Sequence, residues 1–94
     1  MYEIAVACKG VSEGAARAAL DDIVEEFSQR PWHTVVDCRW DEDRILLVAR
    51  NDYDENGKAL LDEFSDAICA CVPIEDSTIS FAVESVTEVS GGGV

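Results

Sequence analysis

Residues 33–50 read HTVVDCRWDEDRILLVAR, and the change of pattern inside that stretch decides the fold. From His33 to Trp40 the residues alternate, with Thr34, Val36, Cys38 and Trp40 on one face and His33, Val35, Asp37 and Arg39 on the other. Period two is the signature of a strand with one buried face. Asp41-Glu42-Asp43 is a turn, and Arg44 to Arg50 is a short apolar run. Its length and its Ile and Val content suit a central strand buried on both faces. Two strands joined by so short a turn predict a hairpin.

Upstream of the hairpin, Ala16, Leu20, Ile23, Val24 and Phe27 recur at helical spacing from Glu13 onward. Arg17, Asp21, Asp22, Glu25 and Glu26 fall mostly outside that stripe, so the segment reads as an amphipathic helix. Ser12 is placed to cap its start, and Pro31 ends it at or before Arg30. Before it, Tyr2 to Cys8 alternates with Tyr2, Ile4, Val6 and Cys8 on one face, a strand closed by the turn Lys9-Gly10-Val11. Downstream, Asn51 to Gly57 is a polar loop. Lys58 to Val72 carries a second apolar helix face of Leu60, Leu61, Phe64, Ala67, Ile68 and Cys71, and Pro73 stops it. Ser77 to Val89 predicts a last strand with Ile79, Phe81 and Val83 on one face. Residues 90–94 form a Gly-rich tail expected to be flexible.

The predicted order is βαββαβ, one α+β domain over 1–89. The arrangement that buries these faces is a two-layer ferredoxin-like sandwich: a four-stranded antiparallel sheet with two helices on one face. The strand order would be fourth, first, third, second, with the apolar third strand central.

The 94 residues hold 20 acids against 7 bases, a formal charge of −13. The 48 % apolar content argues against disorder. Nucleic-acid binding needs a basic stripe to neutralise phosphates, and an anionic membrane surface needs the same, so both are excluded as partners. The charge is uneven. Residues 1–40 hold seven acids and four bases, net −3, and residues 41–94 hold thirteen acids and three bases, net −10. A field of one sign accelerates association with a partner of the other. The same acidity also suits a salt-rich cytoplasm, and a small halophilic or regulatory ligand-binding domain is a further reading.

Residues 1–4, Met-Tyr-Glu-Ile, carry no basic region followed by an apolar core, and no apolar run approaches the ~18 residues of a membrane span. A cytoplasmic location with reduced thiols is therefore expected. Cys69 and Cys71 lie about 200° apart on a helix, poorly placed to share a metal or to pair. With Cys8 and Cys38 they read as buried structural thiols.

Asp52-Tyr53-Asp54-Glu55-Asn56-Gly57, followed after five residues by Glu63, matches the calcium-loop pattern of an EF-hand. The ligands would be Asp52, Asp54, Asn56, the Lys58 carbonyl and Glu63. Against this, a strand rather than a helix enters the loop, Ala59 stands where a large aliphatic residue belongs, and no second loop exists to pair with it. An acidic loop leading into a helix N-terminus explains the same residues. No metal or cofactor is favoured. Catalysis has little support either: His33 is the single histidine, and Ser12 and Ser65 have no base at a recognisable spacing. A non-enzymatic protein is expected.

The second half pairs acids with large side chains. Trp40 adjoins Asp41, Glu42 and Asp43; Tyr53 lies between Asp52 and Asp54, with Glu55 next; and Asp62 and Asp66 share a polar helix face. Aromatic anchors amid charge of one sign suit a binder of a basic protein. The segment DENGKALLDEFSDAICACV, residues 54–72, set in a strongly acidic α/β domain of this size, resembles the immunity proteins of bacterial contact-dependent inhibition and other polymorphic-toxin systems. The resemblance rests on layout and charge and carries no functional residue across. It implies a basic toxin, commonly a nuclease, as partner, with carboxylates standing in for nucleic-acid phosphates. The surface expected from charge and exposure is Trp40, Asp41, Glu42, Asp43, Asp52, Tyr53, Asp54, Glu55, Asp62 and Asp66, on a monomer or weak homodimer.

Overall fold

Each change of period in the sequence becomes a change of element. The computed structural model describes residues 1–72 and 79–89. It contains β1 (Tyr2–Lys9), α1 (Glu13–Ser28), β2 (Thr34–Asp41), β3 (Arg44–Asn51), α2 (Lys58–Cys71) and β4 (Ser80–Glu88). The four strands form one antiparallel sheet in the order β2-β3-β1-β4, the expected ferredoxin-like arrangement with the apolar third strand central. The predicted start of the last strand at Ser77 and the tail at 90–94 lie outside the described residues.

Both helices cover one face. Ile4, Val6 and Cys8 of β1 and Ile45, Leu47 and Ala49 of β3 meet Ala16, Ala19, Ile23 and Phe27 of α1 and Leu60, Phe64, Ala67 and Ile68 of α2 in one core. Phe64 meets Phe81 of β4 edge-on at 6.0 Å. Ser12 caps α1 as its sequence position predicts, its Oγ accepting the Ala15 N–H at 3.3 Å. β3 buries Ile45, Leu47 and Ala49 toward the helices; on the opposite face, which no helix covers, Leu46 is 7 % exposed and Arg44, Val48 and Arg50 are half-buried, so the expected burial on both faces holds for Leu46 alone.

Two expectations about side chains fail. Cys8 is buried, but Cys38 and Cys71 are half-buried and Cys69 is exposed, because Cys69 falls off the apolar stripe of α2. Burial raises the Cys8 thiol pKa to about 11. It raises Cys38 to about 12, with neighbouring Asp37 adding to the shift. The alternation of β2 also does not run through from His33. Its register on β3 shifts between Thr34 and Asp37, and Val35 sits at φ +52°. A bulge inserts an extra residue and reverses which side chains face inward. His33 therefore turns into the molecule, while Val36, Cys38 and Trp40 face the core beyond the bulge.

Candidate functional site

Arg30 to His33 forms a tight turn, with the His33 N–H donating to the Arg30 carbonyl at 3.0 Å. Pro31 occupies the second position, where its fixed φ favours such a turn. The turn leaves Trp32 49 % exposed and sends the His33 ring inward, its side chain fully buried. The ring is held from both sides. Its Nε2 meets a carboxylate oxygen of Glu63 from α2, and its Nδ1 faces Asn51 Nδ2 at 3.4 Å. The Asn51 Oδ1 already accepts the N–H groups of Tyr53 (3.2 Å) and Asp54 (2.8 Å). Its amide nitrogen is therefore the group turned to His33. Nδ1 accepts, and the ring proton lies on Nε2 toward Glu63. The other Glu63 oxygen accepts from Trp32 Nε1 at 3.2 Å and pairs with Arg30 Nε at 3.5 Å. One carboxylate thus ties α2 to the turn that presents Trp32.

The loop after β3 is built on the same logic. Gly57 at φ +77° precedes α2 and supplies no side-chain cap. Asp54 reaches over it instead: its Oδ1 accepts the Ala59 N–H at 3.3 Å and its Oδ2 accepts the Leu60 N–H at 2.9 Å. Asn56 Oδ1 takes the Lys58 N–H at 3.0 Å. Three of the amides that a helix start leaves without partners are satisfied, and the Asp54 charge complements the helix dipole.

This geometry redistributes the residues expected from sequence. Asp54 is 4 % exposed and engaged on α2, so it leaves the acidic surface and becomes part of the frame. The carboxylates of the calcium pattern do not converge, because Asp54 and Asn56 point at helix amides and Glu63 points at His33, Trp32 and Arg30. Among the described residues, no group of three or more His, Cys, Asp or Glu side chains is placed to hold a metal. Trp40 is half-buried and packs against the core, so it is not a free anchor. Asp41 is engaged by Arg44 at 3.3 Å, which leaves Glu42 and Asp43 exposed at the hairpin turn. Asp52, Glu55, Asp62 and Asp66 are exposed and form no ion pair among the described residues.

The expected surface therefore divides. Eight-residue strands place the Asp41–Arg44 turn roughly 25 Å from the Asn51–Gly57 loop. Among the described residues, the large exposed hydrophobic side chains gather at the loop end. Met1, Trp32, Val35 and Tyr53 are the large hydrophobics exposed among the described residues, at 41, 49, 64 and 49 %. All four sit where β1 and β2 begin and β3 ends, since Tyr2 pairs with Asn51 and Thr34 with Arg50. Trp32 and Tyr53 flank the buried His33 ring, with centroids 6.0 and 6.3 Å away. Burial, then Glu63, Asp54 and Asp52, push the Tyr53 hydroxyl pKa upward, so its ring stands among carboxylates. Sequence reading placed Tyr53 here and missed Trp32 and Val35. The signal for Trp32 was its place after Pro31 in a four-residue turn. The alternation already sets Val35 on the outer face of β2; it gives no sign of the bulge at which Val35 sits.

Comparison with protein-family models, with curated proteins and with solved structures returned no match in any of the three. Among the described residues no helix is long and apolar enough to cross a membrane.

Proposed function

We propose that the protein is a non-enzymatic, immunity-type inhibitor that neutralises a basic, nuclease-type toxin by covering it with the loop end of the sheet. The observation that supports this reading is the gathering of exposed Trp32, Val35 and Tyr53 on a frame fixed by His33, Asn51 and Glu63, beside Asp52, Glu55 and Asp62, which form no ion pair among the described residues. Rigid aromatic side chains supply contact area at low entropic cost and dominate the energies of protein interfaces. The surrounding carboxylates steer a basic partner and occupy the sites its phosphate ligands would take. Glu42 and Asp43, at the far end, add to the long-range field and not to the contact.

The test is kinetic binding to a basic toxin domain encoded beside this chain. Trp32→Ala and Tyr53→Ala should each weaken binding about tenfold or more, mainly through dissociation. Glu42→Ala and Asp43→Ala should lower the association rate less than about threefold. An association rate unchanged at about 0.5 M salt, with both aromatic variants binding as the parent does, would sink the proposal.

A further inference from the structure

Imidazole is the side chain that changes charge between about pH 5 and pH 8, and this protein buries its single histidine at the loop end. The His33 ring lies among three others, with the Phe27, Trp32 and Tyr53 centroids 5.7, 6.0 and 6.3 Å away. Charged and polar groups reach it from several elements. Glu63 of α2 faces Nε2. Arg30, on the turn, pairs with the other oxygen of that carboxylate and with Glu26 of α1. The loop brings the Tyr53 phenol, and β3 brings the neutral Asn51 amide. Asp54 is turned away, toward the first amides of α2.

The two ring nitrogens are held on opposite terms. In the neutral ring Nε2 donates to Glu63 and Nδ1 accepts from Asn51, and no buried side-chain nitrogen or oxygen among the described residues lacks a partner. A second proton goes to Nδ1. It makes the Nε2 bond to the Glu63 carboxylate charge-assisted and stronger, so the ring stays in place. It reverses the other contact, because two donors then meet at the 3.4 Å between Nδ1 and Asn51 Nδ2. Asn51 cannot answer by exchanging its oxygen and nitrogen. Its Oδ1 already accepts the Tyr53 and Asp54 N–H groups, and a nitrogen in that place sets donors against both. We infer that protonation of His33 displaces the Asn51 side chain and frees the Tyr53 and Asp54 amides, so that the loop of residues 51–57 opens in acid while Glu63 still holds the ring. Asn51 is the member that moves, since its bond to the ring is long and neutral whereas that of Glu63 becomes ionic. If the loop end is the toxin contact, that contact weakens in acid; this consequence rests on the function proposed above, and the switch itself does not.

Nuclear magnetic resonance of the full chain from about pH 8 down to about pH 5 tests this. The His33 ring nitrogen shifts report the proton on Nδ1. Amide exchange, corrected for its intrinsic pH dependence, reports the loop at Tyr53 and Asp54 and the core at Leu47 of β3. As Nδ1 gains its proton, protection at Tyr53 and Asp54 should fall about tenfold or more, with the midpoint of the ring. Protection at Leu47 should change less than about twofold. Asn51→Asp keeps an acceptor for both amides and turns a second carboxylate oxygen to Nδ1, so the imidazolium has an acceptor on each nitrogen. In that variant Tyr53 and Asp54 should vary less than about twofold over the same range. The parent chain alone decides if the variant does not fold. A ring that stays neutral throughout overturns the inference, as does a ring that gains the proton while both amides keep their protection. So does a loss shared by Leu47, which is global unfolding, or an equal loss in Asn51→Asp. No toxin enters the measurement, so its failure leaves the proposed function standing, and a failure of toxin binding leaves the switch standing.

Discussion

The β2–β3 hairpin closes at one end on Glu42-Asp43 and opens at the other onto Trp32, His33 and the Asn51–Gly57 loop. Both ends are acidic, and both hold a residue with positive φ, Glu42 at +58° and Gly57 at +77°. They use these features differently. At the loop end the side chains of Asn51, Asp54, Asn56 and Glu63 are consumed in holding backbone amides and the His33 ring. The Trp32 and Tyr53 rings lean on that frame and remain about half exposed. At the hairpin end Trp40 packs on the core, Arg44 takes Asp41, and the two turn residues are exposed, with no side-chain ion pair among the described residues. Polar groups fixed inside the structure allow apolar groups to stand outside it, so a count of carboxylates alone identifies neither end as the contact surface.

Substitutions that leave the hairpin end indifferent should therefore damage the loop end. The largest effect is expected at Gly57. A Cβ there would lie 2.8 Å from Val83 Cγ1 and 3.1 Å from Ile4 Cγ2, and it would add the penalty of a left-handed backbone. Gly57→Ala should cost about 2–4 kcal/mol of unfolding free energy in urea. A loss under about 0.5 kcal/mol would mean that the loop and β4 are not packed as described.

Asp54 comes next. Asp54→Ala strips the Ala59 and Leu60 amides of their acceptor at a buried helix start and should cost about 1–3 kcal/mol. Asp43→Ala removes an equal charge from an exposed turn and should stay within about 0.5 kcal/mol. Equal losses at the two positions would erase the distinction between a framing carboxylate and a solvated one.

The framing role was the part hardest to read in the sequence. Helices, strands and their order follow from period, from Ser12 and from Pro31, because burial of one face imposes a repeating pattern over many residues. The strand order β2-β3-β1-β4 is that of the ferredoxin-like arrangement of a βαββαβ chain, and the apolar run Ile45-Leu46-Leu47-Val48 suits the central place it gives β3. The site depends instead on single events. The bulge at Val35 moves His33 from the expected outer face to the inside, and the reach of Asp54 over Gly57 converts a calcium-like spacing into a helix cap. Neither leaves a periodic trace, and both are set by contacts between segments far apart in the chain, such as His33 with Glu63.

Alkali should act on the other half of the molecule. Cys8 and Cys38 lie beside Ile45 and Leu47, toward the hairpin end. Burial raises their thiol pKa values from 9.0 to about 11 and about 12. Above pH 9 the unfolded chain releases these protons and the folded chain retains them, so unfolding becomes more favourable as pH rises toward 11–12. Below pH 9 this contribution is fully present. Melting temperature should fall across that window, and a Cys8→Ala, Cys38→Ala double variant should show a flatter profile even if it starts lower. An identical slope in parent and variant would remove the thiols as the cause.

The smallest effect reverses in sign and tests the two positive-φ positions against each other. Glu42 holds its left-handed conformation at the first position of a two-residue hairpin loop, where backbone twist favours that hand and a Cβ makes it costly. Its side chain is exposed, so Gly can replace it without leaving a void. Relief of strain, roughly 1 kcal/mol, is partly offset by the greater freedom glycine gives the unfolded chain. Glu42→Gly should therefore stabilise the protein by up to about 0.5 kcal/mol, read as a small rise in the urea midpoint with an unchanged slope. The same φ sign thus predicts loss when Gly57 gains a methyl group and gain when Glu42 loses its side chain. A destabilisation above about 0.5 kcal/mol on Glu42→Gly would show that the Glu42 side chain supports the turn, and the hairpin end would then share the framing role assigned to the loop end.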